Sequence, residues 1–336
     1  MRALHTKLRR TVWRSKGPVA AVAVVVACGV AMFIMALTTL EALQTSRDAF
    51  YEQAGFADVF AALKRAPDGL IRAVAALPGV QTAESRVSIE ATLDIPGLME
   101  PATGRLVSLP DAQARLNRII LRDGRLPRSG RADEVVAAEA FATANHFSLG
   151  DSLSATINGH RRSLQIVGIA LSPEFIYSVA PGMLMPDDRR FGVLWMDRAE
   201  LAAALDLRHA FNDVVVRLSP DADGAETLRR LDRLLERYGG FGAYARKDQI
   251  SHALLTGELD QLQALSKMIP PIFLGIAAFL LNVLMMRLIR MERGQIGLLK
   301  ALGYGNGDIG RHYLAFGAVI VVIGIGLGIA GGMTLA

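Results

Sequence analysis

The sequence predicts an α-helical membrane protein of three transmembrane helices carrying an α+β extracytoplasmic domain of two lobes on helical stalks. Three observations predict it. Pro18–Leu40, Met268–Met286 and Tyr313–Ala336 are apolar runs without a charge. Residues 41–267, between the first two runs, alternate strand and helix signals and hold 26 basic against 30 acidic residues. Positive charge instead gathers beside the runs: residues 1–17 contain six Lys or Arg and no acid. With 51% apolar side chains the chain is too greasy for an ordinary soluble protein, and with 21% charged residues it is too polar to be membrane throughout. A net charge of +5 placed this way marks the cytoplasmic flank of membrane helices and argues against a nucleic-acid partner.

The first run, 18–40, makes a helix of about 34 Å, enough for a hydrocarbon core of about 30 Å. Val25-Val26-Ala27-Cys28 also resembles a loose lipobox, but the apolar run continues through Phe33, Ile34 and Met35 to Leu40, beyond the apolar core of a secretory signal. Cys28 is the only cysteine, which excludes a disulfide framework within the chain. The second helix, 268–288, opens on Pro270-Pro271, tolerated where first-turn amides lack partners. It closes on Arg287 and Arg290, whose stems can reach the interface. The third, 313–336, carries Gly324, Gly328 and Gly332, a spacing that allows close helix packing; the bland alternative is that glycine is common in membrane helices. Asn282 reads as an interhelical hydrogen bond. By the positive-inside rule, residues 1–17 and 287–312 are cytoplasmic and 41–267 lie outside.

In the outer domain, 41–56 and 248–267 read as paired helical stalks. Strands are expected at Ala57–Leu63, Val80–Leu93, Arg118–Leu121, Val193–Met196 and Asp213–Leu218, and helices at Asp68–Ala76, Asp133–Asn145, Ala199–Leu205 and Ala222–Tyr238. Ser152–Ile157 and Ser163–Ala170 form a hairpin turning on Asn158-Gly159. Leu171–Tyr177 joins a turn to apolar and aromatic residues, either a packed loop or a contact surface. The six histidines are scattered with no HExxH, and no GxSxG or P-loop occurs, so neither a zinc site, a nucleophile elbow nor an ATP site of its own is expected.

Residues 289–312 form a cytoplasmic connector. Ile289, Ile296, Leu299 and Leu302 fall near one helical face, Glu292, Arg293, Gln295 and Lys300 supply polar handles, and Gly303 is placed to end the helix. Amphipathicity alone leaves open whether lipid or protein is the partner. The run Glu292-Arg293, Ile296-Gly297, Leu299-Lys300-Ala301-Leu302-Gly303 resembles the E-R-x-x-I-x-x-x-K-A-L-G signature of FtsX/MacB-type ABC transporter permeases. The plan of basic segment, helix, large outer domain and further helices is similar to that family's too.

The resemblance implies that Glu292, Arg293, Gln295, Ile296, Gly297, Leu299, Lys300, Ala301, Leu302 and Gly303 form a coupling helix. Its expected partner is a separate ABC ATPase subunit, like the nucleotide-binding domain of MacB or LolD. It further implies a bacterial inner-membrane location, a periplasmic 41–267, a second permease copy or half, membrane lipids and a periplasmic adaptor as partners. No cofactor is implied, ATP being bound by the ATPase. The exported or extracted substrate would be a lipid, lipoprotein, peptide or drug. Two departures stand out. The family has a fourth helix and many relatives a second FtsX-type half, so the chain is expected to be an N-terminal fragment. Gly294 is a weak helix former inside the coupling helix. The rival functions are a membrane-anchored ligand sensor and a membrane-bound periplasmic enzyme, for which no constellation is visible.

Overall fold

The computed structural model describes residue 13 and residues 16–109 and 115–335. Of the basic segment expected at 1–17, all but Trp13, Lys16 and Gly17 lies outside the described residues, as does Ala336. The chain divides into two compact units, Met1–Ser46 with Glu258–Ala336, and Arg47–Gly257. The boundaries expected at 40/41 and 267/268 fall inside uninterrupted helices.

Helix α1 spans Lys16–Ala54. It ends at Gly55, whose φ is +67°. Gly55 N–H donates to Glu52 O at 3.1 Å and Phe56 N–H to Tyr51 O at 2.9 Å, the paired bonds of a Schellman motif. Besides its positive φ, a Cβ at Gly55 would lie 1.9 Å from Arg115 O, so only glycine fits.

The α+β unit continues as β1 (Val59–Pro67), α2 (Leu70–Ala75), β2 (Val80–Arg86), β3 (Ser88–Asp94), β4 (Ala102–Ser108), β5 (Ile120–Gly124) and β6 (Glu134–Ala138). Then come α3 (Glu139–Ala144), β7 (Ser152–Ile157), β8 (His160–Leu171), β9 (Phe191–Met196), α4 (Arg198–Ala204), β10 (Ala210–Leu218), α5 (Gly224–Leu235) and β11 (Gly240–Ala245). They build two sheets. One has the antiparallel order β11-β1-β10-β2, two interleaved β-α-β units. Strand alternation gives it two buried faces. Val59, Ala61, Leu63, Val214 and Val216 pack on Leu70, Val74, Leu231 and Leu235 of its two helices. Phe60 and Val215, between them in sequence, pack on Tyr51, Phe56 and Leu116.

The other sheet has the order β5-β8-β6-β9-β4-β3-β7, and β7 also pairs with β8, so six strands close into a ring with β5 added on β8. Residues such as Leu93, Leu106, Phe141, Ile166, Leu194 and Trp195 form the buried core around it, consecutive strand residues packing on opposite faces. The hairpin turn has φ of +49° at Asn158 and +79° at Gly159, as a type I′ turn requires.

Two expectations are corrected here. Val80–Leu93 is two strands in different sheets, broken at Val87, whose N–H donates to Ser108 Oγ at 3.0 Å while its O accepts from Ser108 N–H at 2.8 Å. The helix expected at Asp133–Asn145 begins only at Glu139. Glu134–Ala138 is instead strand β6, fully buried between β8 and β9. A strand buried on both faces carries no alternation to distinguish it from helix. The Glu134 carboxylate takes Arg125 Nη1 and Nη2 at 2.7 and 2.8 Å and the Arg128 N–H at 2.9 Å. The Arg125 bonds first, and then the Arg128 amide, hold its pKa down at about 2.

Leu171–Tyr177 is a packed loop. Arg86 Nη1 and Nη2 bind Glu174 Oε2 and Oε1 at 2.5 and 3.0 Å, and Arg86 Nε binds Asp213 Oδ1 at 2.7 Å. Asn117 Nδ2 donates to Glu174 Oε2 at 2.6 Å while its Oδ1 accepts from Ala57 N–H at 2.8 Å. Gln249 Nε2 donates to Glu174 O at 2.7 Å. Burial works against the Arg86 charge, but Asp213 and Glu174 together keep its pKa raised. Tyr51 Oη and His252 Nδ1, one from each stalk, lie 3.1 Å apart.

The remaining elements are α6 (Ile250–Met291), α7 (Arg293–Ala301) and α8 (Asn306–Leu335). Helices α1, α6 and α8 are each long and apolar enough to cross a membrane. Pro270 and Pro271 lie inside α6 rather than opening it. The stalk already supplies the helical turns before them, so the apolar run has no N-terminus of its own. Likewise α8 starts at Asn306, ahead of the expected 313, because Gly303 to Gly305 turn the chain and Asp308 and Arg311, paired at 2.8 Å, extend the helix in polar form.

Candidate functional site

The connector is the candidate site, and its shape follows from two interruptions in an otherwise helical stretch. Helix α6 stops at Met291, Glu292 forms a turn, and α7 follows at once. At its far end Gly303, with φ of +91°, sends its N–H to Lys300 O at 3.0 Å, and Tyr304 N–H reaches Leu299 O at 3.1 Å. This is a second Schellman motif, placed where the sequence predicts the helix stop.

The expected site residues divide by direction. Ile296 and Leu299, with Tyr304, pack on a core of Val19 and Val22 from α1, Leu284 and Leu288 from α6, and Ile309 and Phe316 from α8. Glu292 points inward too: Tyr313 Oη donates to Glu292 Oε2 at 2.9 Å, fastening the start of α7 to α8. Arg293, Gln295, Gly297, Lys300, Ala301, Leu302 and Gly303 are exposed. Leu302 is therefore corrected: it faces outward at 68% exposure, not toward Ile296. Six residues at about 100° each place it about 120° from Ile296 around the axis.

Sequence reasoning missed Leu298, 63% exposed and one turn before Leu302. The pair makes an apolar strip along the exposed part of α7, and Lys300, two residues from each, lies on the other side of the helix. The i, i+4 spacing of Leu298 and Leu302 was the available signal, masked by the inward set of Ile296 and Leu299. Gly294 and Gly297 have nothing within 4 Å of an added Cβ, so the outward face is open around them. Across residues 287–312 five Arg or Lys oppose two acids, so the surface offers basic and apolar contacts together.

The glycine stripe of α8 faces α1. A Cβ on Gly324 would lie 2.7 Å from Val26 Cβ, one on Gly328 2.7 Å from Val30 Cβ, and one on Gly332 3.0 Å from Ile34 Cβ. Gly326 and Gly331, off that face, have nothing within 4 Å. The two helices thus approach backbone to side chain through the missing Cβ atoms.

Residues 267–336 match the family model described as FtsX-like permease C-terminal. No curated protein matches the chain in sequence. Among solved structures the chain is similar to the periplasmic region of MacB from Actinobacillus actinomycetemcomitans, at 13% identity over 58% of this chain and 91% of that one, TM-score 0.35. It is similar as well to the extracellular domain of the noncanonic ABC-type transporter YknZ from Gram-positive bacteria, at 13% identity over 56% and 98%, TM-score 0.36. A domain of a putative permease protein from Porphyromonas gingivalis aligns at 14% identity over 55% and 88%, TM-score 0.31.

Proposed function

We propose that this chain, whose residues 267–336 match the FtsX-like permease segment, is the permease subunit of an ABC transporter in a bacterial inner membrane. Helix α7 is the coupling helix. A partner ATPase meets its exposed arc, with Leu298 and Leu302 beside Gln295 as apolar anchors on one edge and Arg293 and Lys300 as basic contacts on the other. ATP hydrolysis in that partner moves the permease and, with it, the α+β unit on the periplasmic side, to export or extract a lipid, lipoprotein, peptide or drug. This chain binds no ATP itself in this reading, and a second permease copy or half and a periplasmic adaptor complete the machine.

The observation that carries the reading is the family match over the segment that contains α7. Its division into a packed inner face and an exposed arc carrying Leu298 and Leu302 supports it. Co-purification of the full chain with a co-expressed ABC ATPase subunit tests the proposal. Association that is lost on Leu298→Asp or Lys300→Glu supports it; absence of association, or association indifferent to both changes, refutes it.

A further inference from the structure

Helix α6 carries a groove of about 350 Å³ lined, among the described residues, by Val283, Met286, Arg287, Arg290 and Met291. Their spacing of three and four residues puts them on one face of the helix. Val283, Met286 and Met291 are exposed, as is Phe279, one turn before Val283. The sequence also fixes the depth of this face. The uncharged run Met268–Met286 rises about 28 Å as helix, close to a hydrocarbon core of about 30 Å, and Arg287 is the first charge after it. Phe279 and Val283 therefore lie among acyl chains, and Arg287 and Arg290 at the level of the headgroups.

Neither arginine has an ion-pair or hydrogen-bond partner among the described residues. Arg311, also exposed, is by contrast paired with Asp308 at 2.8 Å. The acid nearest in sequence, Glu292, points inward to Tyr313 Oη. The groove wall thus holds two cations, no acid and three apolar side chains. Arg287 and Arg290 are separated by a rise of about 4.5 Å, so both guanidinium forks can reach one phosphate. Two unpaired guanidiniums at headgroup depth, beside an apolar track that runs toward the bilayer interior, suit an anion joined to a hydrocarbon chain.

We infer that this groove holds one anionic phospholipid, its phosphate taken by Arg287 and Arg290 and an acyl chain laid along Met286, Val283 and Phe279. A zwitterionic lipid is disfavoured, because its ammonium would meet two guanidiniums and no carboxylate. The volume is that of a small-molecule pocket, enough for a headgroup, with the rest of the lipid left in the bilayer. The site borders the turn at Glu292, so the lipid packs where α7 departs from α6. It does not depend on the coupling proposal, since no ATPase takes part in it.

The test titrates phosphatidylglycerol or phosphatidylcholine into the full chain in neutral detergent and counts the retained lipids by native mass spectrometry. One phosphatidylglycerol is retained saturably, about tenfold more tightly than phosphatidylcholine. Arg290→Gln weakens it about threefold or more, and Arg287→Gln combined with Arg290→Gln abolishes the preference. Arg311→Gln, which removes the same charge elsewhere on the surface, leaves the preference intact. These changes replace exposed side chains and leave the fold unaffected. Glycerol phosphate, the head without its chains, does not displace the lipid. Equal retention of the two lipids, a preference that survives the double change, a loss in Arg311→Gln equal to that in Arg290→Gln, or displacement by glycerol phosphate overturns the inference. Because no ATPase is present, such a failure leaves the coupling proposal standing.

Discussion

Arg86 holds both carboxylate oxygens of Glu174, at 2.5 and 3.0 Å, while the same guanidinium reaches Asp213 in the neighbouring strand. Arg86 closes β2 of the open sheet and Glu174 follows β8 of the closed one, so a single buried ion pair spans the two sheets. Removing Glu174 strips the buried guanidinium of its bidentate partner and leaves Asp213 as its carboxylate, which costs up to about 3–5 kcal/mol. Glu174→Ala is expected to lower the unfolding free energy of the α+β unit by that amount. Asp94→Asn, which breaks the exposed pair with Arg161, is expected to cost less than about 1 kcal/mol. Denaturant titration followed by Trp195 fluorescence compares them, and equal losses would refute the role given to Glu174.

Glu134 makes the stability of the closed sheet acid-sensitive. Its folded pKa is about 2, below the usual carboxylate value of about 4.3. The stability it contributes is therefore complete above about pH 4.5 and is lost as the pH falls toward about 2. Unfolding midpoints measured from about pH 6 downward should fall across this window in the native chain. Glu134→Gln should start lower and respond less; parallel curves would rule the assignment out.

Gly55 tolerates no side chain. With φ of +67° and Arg115 O only 1.9 Å from where a Cβ would stand, Gly55→Ala must displace backbone, not a flexible side chain. A loss of about 2–4 kcal/mol is expected. Gly97→Ala shares a positive φ, +88°, but has nothing within 4 Å, and should cost about 1 kcal/mol. Thermal melts of the two variants side by side decide the point.

Gly328→Val and Gly326→Val separate packing from composition in α8. The first drives a side chain into Val30 and the carbonyl of Ala27, whereas the second enters open space. Overpacking is expected to cost the Gly328 variant about 1–3 kcal/mol and the Gly326 variant little. If both melt alike in detergent, the stripe reflects only the abundance of glycine in membrane helices.

Much of the fold is legible in the sequence because it rests on local rules. Asn158-Gly159 states its turn type, Gly303 marks a helix stop, and three uncharged runs mark three helices. Other features depend on partners distant in sequence. Val80 to Leu93 reads as one extended run; the change of sheet at Val87 is imposed by Ser108. Glu134-Val135-Val136-Ala137-Ala138 has no alternation because both of its faces are buried. Strand β4, Ala102–Ser108, carries no clear local sign: Gly104 and Arg105 interrupt its apolar pattern, and its pairing with β9 bridges more than eighty residues. At the connector, the residue pattern locates α7, but only the helix's surroundings show that Glu292 turns inward and that Leu298 and Leu302 turn out.

The strand order β11-β1-β10-β2 also dictates a sequence of events in synthesis. β1 and β2 are not neighbours; each pairs with β10, more than a hundred residues later. All strands of the closed sheet lie between Ser88 and Met196, so that sheet can be completed while the open one exists only as two unpaired strands waiting for β10. The closed sheet is thus the template that keeps β1 and β2 within reach, and an error in β10 would strand the first-made part of the chain with two naked edges.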